Sequence, residues 1–189
     1  MLYYKFCKLS DFSSIEINKT YALLSGQQQS YINSLTETKR QQSICVRTLL
    51  NLMLLEHFED LDVSKLSSDE NSKPFLPDNS LHISFTHSDN CVGCAISNKP
   101  VGIDIEKVKP VKDSVINRVC SQDEIAFIKE YSDFFTLWTL KEAYIKATGN
   151  RKLKFKEINF ISGNELQKDH CCMLTGETDG YKWSIIELI

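Results

Sequence analysis

The chain is predicted to be an α+β protein in two similar halves, residues 1–98 and 99–189, on three observations. A long apolar-periodic helix followed by a hairpin fills the first half. Ser97-Asn-Lys-Pro100 then breaks the pattern. Beyond it the order returns as a strand, several helices and further strands. The two halves share little sequence identity, so the repetition is one of element order.

In the first half, Ser34-Leu-Thr-Glu37 has the form of a capping box, in which a hydroxyl and a carboxylate satisfy the free amides of a helix start. The helix it opens runs through Leu49-Leu50-Asn-Leu-Met-Leu-Leu55 to about Phe58. Arg40 and Arg47 lie two turns apart and so share a face, which suits either a phosphate clamp or an ordinary solvated basic stripe. Glu59 to Ser72 reads as helix end and loop. Leu81–Thr86 and Cys91–Ile96 then pair as a hairpin about Ser88-Asp89-Asn90.

The second half opens on Val101-Gly-Ile-Asp-Ile-Glu106. A strand sends alternate side chains to opposite faces, so Val101, Ile103 and Ile105 share one face while Asp104 and Glu106 project from the other. Two like charges on a half-buried surface repel unless a cation lies between them, and paired carboxylates suit Mg²⁺ or Mn²⁺ against phosphates. The same alternation also suits an amphipathic edge strand with a solvated face. Helices are expected near Asp113–Cys120 and Gln122–Glu130. A long helix follows over 134–148, apolar nearly all round and ended by Gly149. Trp138, Glu142 and Lys146 form one stripe on it, with Lys141 beside them. Glu142 and Lys146 would serve as an exposed i,i+4 ion pair, except that Leu140, Ala143, Tyr144 and Ile145 surround Glu142, and a buried acid requires a cation. Strands near 157–162, 170–175 and 181–188 complete the chain. Lys152, Lys154 and Lys156 alternate, as on one face of a further strand, and form either a docking patch or a lysine-protected edge.

These motifs resemble those of the 4'-phosphopantetheinyl transferases, in the longer, two-repeat form. The resemblance rests on Gly102-Ile-Asp104-Ile-Glu106, on Trp138-Thr-Leu-Lys141-Glu142-Ala-Tyr-Ile-Lys146, and on the interval between them. Upstream, Lys73-Pro74 and Ser84-Phe-Thr86-His87-Ser88 are similar to the family's coenzyme A-binding stretch, although Ser84 and Thr86 stand where the longer members carry Asn and Ser. The likeness spans about Ser34 to Ile161. It implies two α+β halves related by a pseudo-twofold axis, with coenzyme A and the active site between them. It implies Mg²⁺-dependent transfer of phosphopantetheine from coenzyme A to a serine of an apo acyl or peptidyl carrier protein. Asp104, Glu106 and Glu142 would hold the metal. Glu142, or a metal-bound water beside it, would take the serine proton, and Lys146 would stabilise the departing adenosine 3',5'-bisphosphate. Arg40, Arg47, Thr48, Lys73, Pro74, Thr86, His87, Asp104, Lys141 and Lys146 would contact coenzyme A, and Glu124 matches a recurrent acidic position.

Composition bounds the remaining possibilities. A net charge of -3 and a pI near 5.8 argue against a general nucleic-acid binder, which would be strongly basic. The carboxylate pattern nevertheless also describes metal-dependent nucleases or phosphodiesterases, and a noncatalytic coenzyme A-binding domain would share the fold. Seven cysteines with no secretory leader point to the cytoplasm and to buried structural thiols, Cys91, Cys94, Cys171 and Cys172 included. No run approaches a membrane span. Two fused halves predict a monomer.

Overall fold

The computed structural model describes residues 1–68, 73–76, 81–162 and 165–189. Helices and strands are mixed throughout, as the α+β reading requires, and the chain divides into two compact units, Met1–Asn98 and Lys99–Ile189.

The first unit runs β1 (Leu2–Lys8), α1 (Ser14–Leu23), α2 (Gly26–Ser34), α3 (Glu37–His57), β2 (Ser67–Ser68), β3 (Pro74–Phe75), β4 (His82–Ser88) and β5 (Cys91–Ser97). Its sheet has the order β1-β5-β4-β3-β2, with every neighbouring pair antiparallel. The expected hairpin is β4–β5, with Ser88 opposite Cys91 and Asp89 in the left-handed conformation of a tight turn. Leu49, Leu50, Met53 and Leu54 of α3 pack with Ile83, Val92, Cys94 and Ile96 in one apolar core. The box at Ser34–Glu37 does not form. Ser34 closes α2, donating its hydroxyl to the Tyr31 carbonyl, and α3 starts after Thr36. Five elements of this unit went unread in the sequence: β1, α1, α2 and the two-residue strands β2 and β3. The Ser13–Glu16 capping box that opens α1 was the available signal.

The second unit runs β6 (Val101–Lys107), α4 (Asp113–Val119), α5 (Gln122–Phe127), α6 (Tyr131–Thr148), β7 (Ile161–Ser162), β8 (Glu165–Leu166), β9 (Cys171–Thr178) and β10 (Tyr181–Leu188). The order β6-β10-β9 makes an antiparallel sheet, and β7–β8 form a separate pair. Gly149 ends α6 in the left-handed conformation, its N–H donating to the Ile145 carbonyl. The expected strand over Lys152–Lys156 is instead a turn leading into a 3₁₀ turn at Phe155–Glu157. Residues 157–162 contribute only the two-residue β7. At the edge strand β9, Cys172 is exposed and Cys171 half-buried, against the expectation of two buried thiols.

Register decides what β6 presents. Gly102 lies opposite Ile186 and Asp104 opposite Ser184, and the Ser184 hydroxyl is bonded to Thr139 of α6 at 2.7 Å. The acid-bearing face of β6 is therefore the face that α6 covers. Contact is close enough that a Cβ on Gly102 would stand 1.8 Å from the Ala143 carbonyl oxygen, so only glycine lets helix and strand approach here. Val101, Ile103 and Ile105, on the opposite face, are fully buried as expected.

Candidate active site

Asp104 is nearly fully buried at 6% exposure, and the Lys146 ammonium reaches it from α6, donating to Asp104 Oδ1 at 2.7 Å and to the Ile103 carbonyl at 2.9 Å. This pair spans strand and helix across the gap that Gly102 opens. Glu142 sits one turn before Lys146 on the same helical stripe, half-buried. Burial raises the pKa of its carboxyl, and the charges of Asp104 and then Glu106 add to the rise, while Lys146 opposes it. Asp104, Glu106, Glu142 and Lys146 thus form one electrostatic cluster within the second unit.

No group of three or more His, Cys, Asp or Glu side chains is arranged to hold a metal ion among the described residues. The donor chemistry nonetheless fits a hard divalent cation. Three carboxylates supply oxygen alone, and the like-charge crowding on Glu142 is what a cation relieves. Lys146 supplies part of that relief, since its charge opposes the rise at Glu142.

Lys141 has a different place from the one expected. It is fully buried, and its ammonium donates to Glu124 Oε2 at 2.7 Å and to the carbonyls of Val119, Phe155 and Ile158 at 3.2, 2.8 and 2.6 Å. Glu124, also fully buried, accepts in addition from the amides of Ser121 and Phe160. The expectation that Lys141 holds a phosphate fails because its donors are spent inside the unit, where it ties α6 to α5 and to the 155–158 turn. Glu124 is likewise an internal acceptor rather than a site carboxylate.

The remaining candidates lie in the first unit. Arg40 and Arg47 both turn toward α2, but not as a clamp. Arg40 donates to the carbonyls of Asn33 and Leu35 and so caps the C-terminal end of α2, with 43% of its side chain still exposed. Arg47 is buried beside the first turn of α2, bonded to Gln28 Oε1 and to the carbonyl and hydroxyl of Ser43, with Tyr31 and Phe85 rings each 5.9 Å away. Burial lowers its pKa from the ordinary arginine value. It lines a recess of ≈ 230 Å³ with Ser25, Gln28, Tyr31, Ser67 and Ser68. Gln28, which also donates to the Leu66 carbonyl, and Tyr31 were missed in the sequence. Their only signal was the Ser25-Gly26 start of α2.

Thr48 is fully buried and donates its hydroxyl to the Ile44 carbonyl, so the expected nucleotide contact is turned back into its own helix. Pro74 is in β3 opposite Ser68. Lys73 precedes it, half-buried and close enough to His82 to lower that imidazole's pKa after burial has done so first. Thr86 is buried in β4, and His87 is exposed next to it.

Residues 100–188 match the 4'-phosphopantetheinyl transferase superfamily. The chain is 32% identical over 130 residues to the 4'-phosphopantetheinyl transferase gsp of Aneurinibacillus migulanus, covering 65% of this chain and 54% of that protein. It is 37% identical over 92 residues to the 4'-phosphopantetheinyl transferase Sfp of Bacillus subtilis (strain 168), covering 45% and 41%. Against the 4'-phosphopantetheinyl transferase HetI of Nostoc sp. it is 34% identical over 139 residues, covering 66% and 55%. The chain spans about half the length of the curated relatives it matches. The chain is thus similar to proteins named 4'-phosphopantetheinyl transferases, Sfp among them, and its superfamily match lies in residues 100–188.

Proposed function

We propose that this protein transfers the 4'-phosphopantetheine arm of coenzyme A to a serine of an apo acyl or peptidyl carrier protein. The observation that carries this reading is the cluster of Asp104, Glu106, Glu142 and Lys146, which falls on the residues that carry the family resemblance. In the reaction the serine oxygen bonds to the phosphorus that bears the pantetheine arm. The bond from that phosphorus to the bridging oxygen breaks, and adenosine 3',5'-bisphosphate departs.

Asp104, Glu106 and Glu142 are the residues that would hold Mg²⁺, or Mn²⁺, whose chemistry is to offset pyrophosphate charge during in-line displacement. Glu142 is assigned to accept the serine proton, as the resemblance implies; its raised pKa belongs to the metal-free cluster, and a bound cation would lower it. Lys146, with 31% of its side chain exposed, can meet an anion while still bonded to Asp104, and so stabilises charge on the departing group. Arg47, desolvated beside a polar recess, is assigned to a phosphate of coenzyme A, as are Lys73 and His87 from the resemblance. Pro74 and Thr86 keep their assignment near the nucleotide. Lys141 and Thr48, both fully buried, have no part in this reading, while Arg40, with 43% of its side chain exposed, keeps its assignment to coenzyme A.

No helix among the described residues is long and apolar enough to cross a membrane. A cytoplasmic, monomeric enzyme remains part of the proposal.

Intact-mass spectrometry of an apo acyl carrier protein and an apo peptidyl carrier protein, incubated with coenzyme A and Mg²⁺ and with an EDTA control, tests the reading. A metal-dependent mass gain of one phosphopantetheine arm is expected. Asp104→Asn should slow that gain by about two orders of magnitude, the scale of losing one preorganised charged group. Coenzyme A binding with no transfer to either carrier would refute the enzyme reading.

A further inference from the structure

The second unit carries a recess of ≈ 460 Å³ lined by Arg118, Val119, Trp138, Lys154, Phe155 and Lys156, with Trp138 one turn before Glu142 on α6. Trp138 stacks on Phe155 with centroids 5.1 Å apart and planes 22° from parallel, and both rings keep part of their surface exposed. Three exposed cations surround this aromatic floor. Of these only Lys154 has a carboxylate at ion-pair distance among the described residues, an exposed and loose 3.7 Å contact with Glu157. Residues 151–156 contain four basic side chains and no acid, within a chain whose net charge is -3. Positive charge is therefore concentrated at this rim against the trend of the molecule.

The walls are also fixed from beneath. The carbonyls of Val119 and Phe155, one from each wall, are both held by the buried Lys141 ammonium. An aromatic floor that is already ordered loses little freedom on binding, the property expected of an interface anchor.

We propose that this recess is the docking surface for the carrier protein, receiving an acidic helix whose apolar ridge enters over Trp138 and Phe155 while its carboxylates meet Arg118, Lys154 and Lys156. The inference rests on the transferase reading above. Charge complementarity selects the occupant, because an acidic amphipathic helix matches both the rim and the floor. A polyanion such as nucleic acid matches the rim alone and meets a chain of the same net sign.

The test is steady-state transfer at saturating coenzyme A, comparing the wild type with the triple reversal R118E/K154E/K156E. All three side chains are exposed, so the variant should fold, and its thermal midpoint and coenzyme A affinity serve as controls. The expected result is a rise of about tenfold or more in the KM for the apo carrier, with kcat retained and the wild-type KM rising with salt. Direct binding of a fluorescently labelled apo carrier should weaken in parallel. A triple-variant KM within about twofold of wild type would overturn the docking surface while leaving the transferase reading intact. A wild type that modifies no carrier overturns the transferase reading and the occupant with it. Salt-sensitive binding of duplex DNA, abolished by the same reversal, would assign the rim to a different partner and also overturn the proposal.

Discussion

Lys141→Met tests whether the second unit is held by a buried charge network. The substitution keeps the approximate length and apolar stem of the side chain and removes the ammonium. Glu124 is then left fully buried without its 2.7 Å partner, and the carbonyls of Val119, Phe155 and Ile158 lose a donor. Breaking one side of a buried ion pair costs about 3–5 kcal/mol. In a chain of this length each kcal/mol moves the midpoint by about 2–4 °C, so the transition should fall by roughly 6–20 °C. The double variant K141M/E124L is the sharper probe. Replacing both members of a buried pair by apolar side chains is often close to neutral. Here the amides of Ser121 and Phe160 also depend on Glu124, and each buried backbone group left unsatisfied costs ~1–3 kcal/mol. The double variant should therefore remain destabilised by several kcal/mol. Urea unfolding followed by tryptophan emission is the assay, with the slope compared across variants to show that the same surface is exposed. A double variant as stable as wild type would refute the reasoning, since it would mean the backbone groups find other partners.

Three further outcomes are expected. Gly102→Ala places a methyl 1.8 Å from the Ala143 carbonyl oxygen and 2.7 Å from the Ala147 amide nitrogen, so it should destabilise by at least about 1–3 kcal/mol and weaken the Asp104–Lys146 pair, read by calorimetry and transfer rate together. Because the Glu142 carboxyl is raised when folded, the native state holds its proton to a higher pH than the unfolded state does. Its contribution to stability therefore falls as pH rises from the usual carboxylate value of 4.5 through the raised one. Glu142→Gln should remove that fall, so its stability relative to wild type should increase with pH across that window, measured as paired thermal midpoints; a constant difference would contradict the cluster's geometry. Native protein at pH 8 should titrate one fast thiol, Cys172, with an aromatic disulfide reagent. Burial pushes the Cys45 and Cys120 thiols up to about 11 and raises Cys94, Cys7 and Cys171 as well, so rapid reaction of several thiols would show the cores to be open.

The parts of the fold legible in the sequence were those with strong period or punctuation. β6 shows strict alternation, α6 is apolar all round and ends at Gly149, and the β4–β5 hairpin is marked by Asp89-Asn90. The unread elements had weak signals for physical reasons. α1 buries only Thr20, and α2 only Gln28 and Ile32, so neither shows an apolar stripe. The lysines at 152, 154 and 156 alternate as a strand would, but Phe155 is committed to stacking on Trp138, and Glu157 folds back toward Lys154 in a 3₁₀ turn. Tertiary packing overrode a local period there. The Ser34–Glu37 box failed because Ser34 already belonged to a helix the sequence had not disclosed.

The candidate site was legible in its residue types and less so in their roles, and α6 shows why. Lys141 and Lys146 stand five residues apart, which at 3.6 residues per turn places them about 140° apart around the helix axis. Each therefore meets a different acid from a different element, Glu124 from α5 and Asp104 from β6. Sequence alone marks both lysines as charges on an apolar helix that need partners, but cannot rank them. Exposure ranks them. Lys141 has none, and an ammonium with four oxygen partners in a closed interior can only tie elements together. Lys146 keeps 31% of its side chain in solvent while bonded to Asp104, so an incoming anion can reach it without dismantling the fold. The division is also favourable energetically. The fully desolvated pair is costly to disturb and so fixes the helix, whereas in the second pair only the ammonium meets solvent: Lys146 keeps its bond to the buried Asp104 and offers its open side to a further anion.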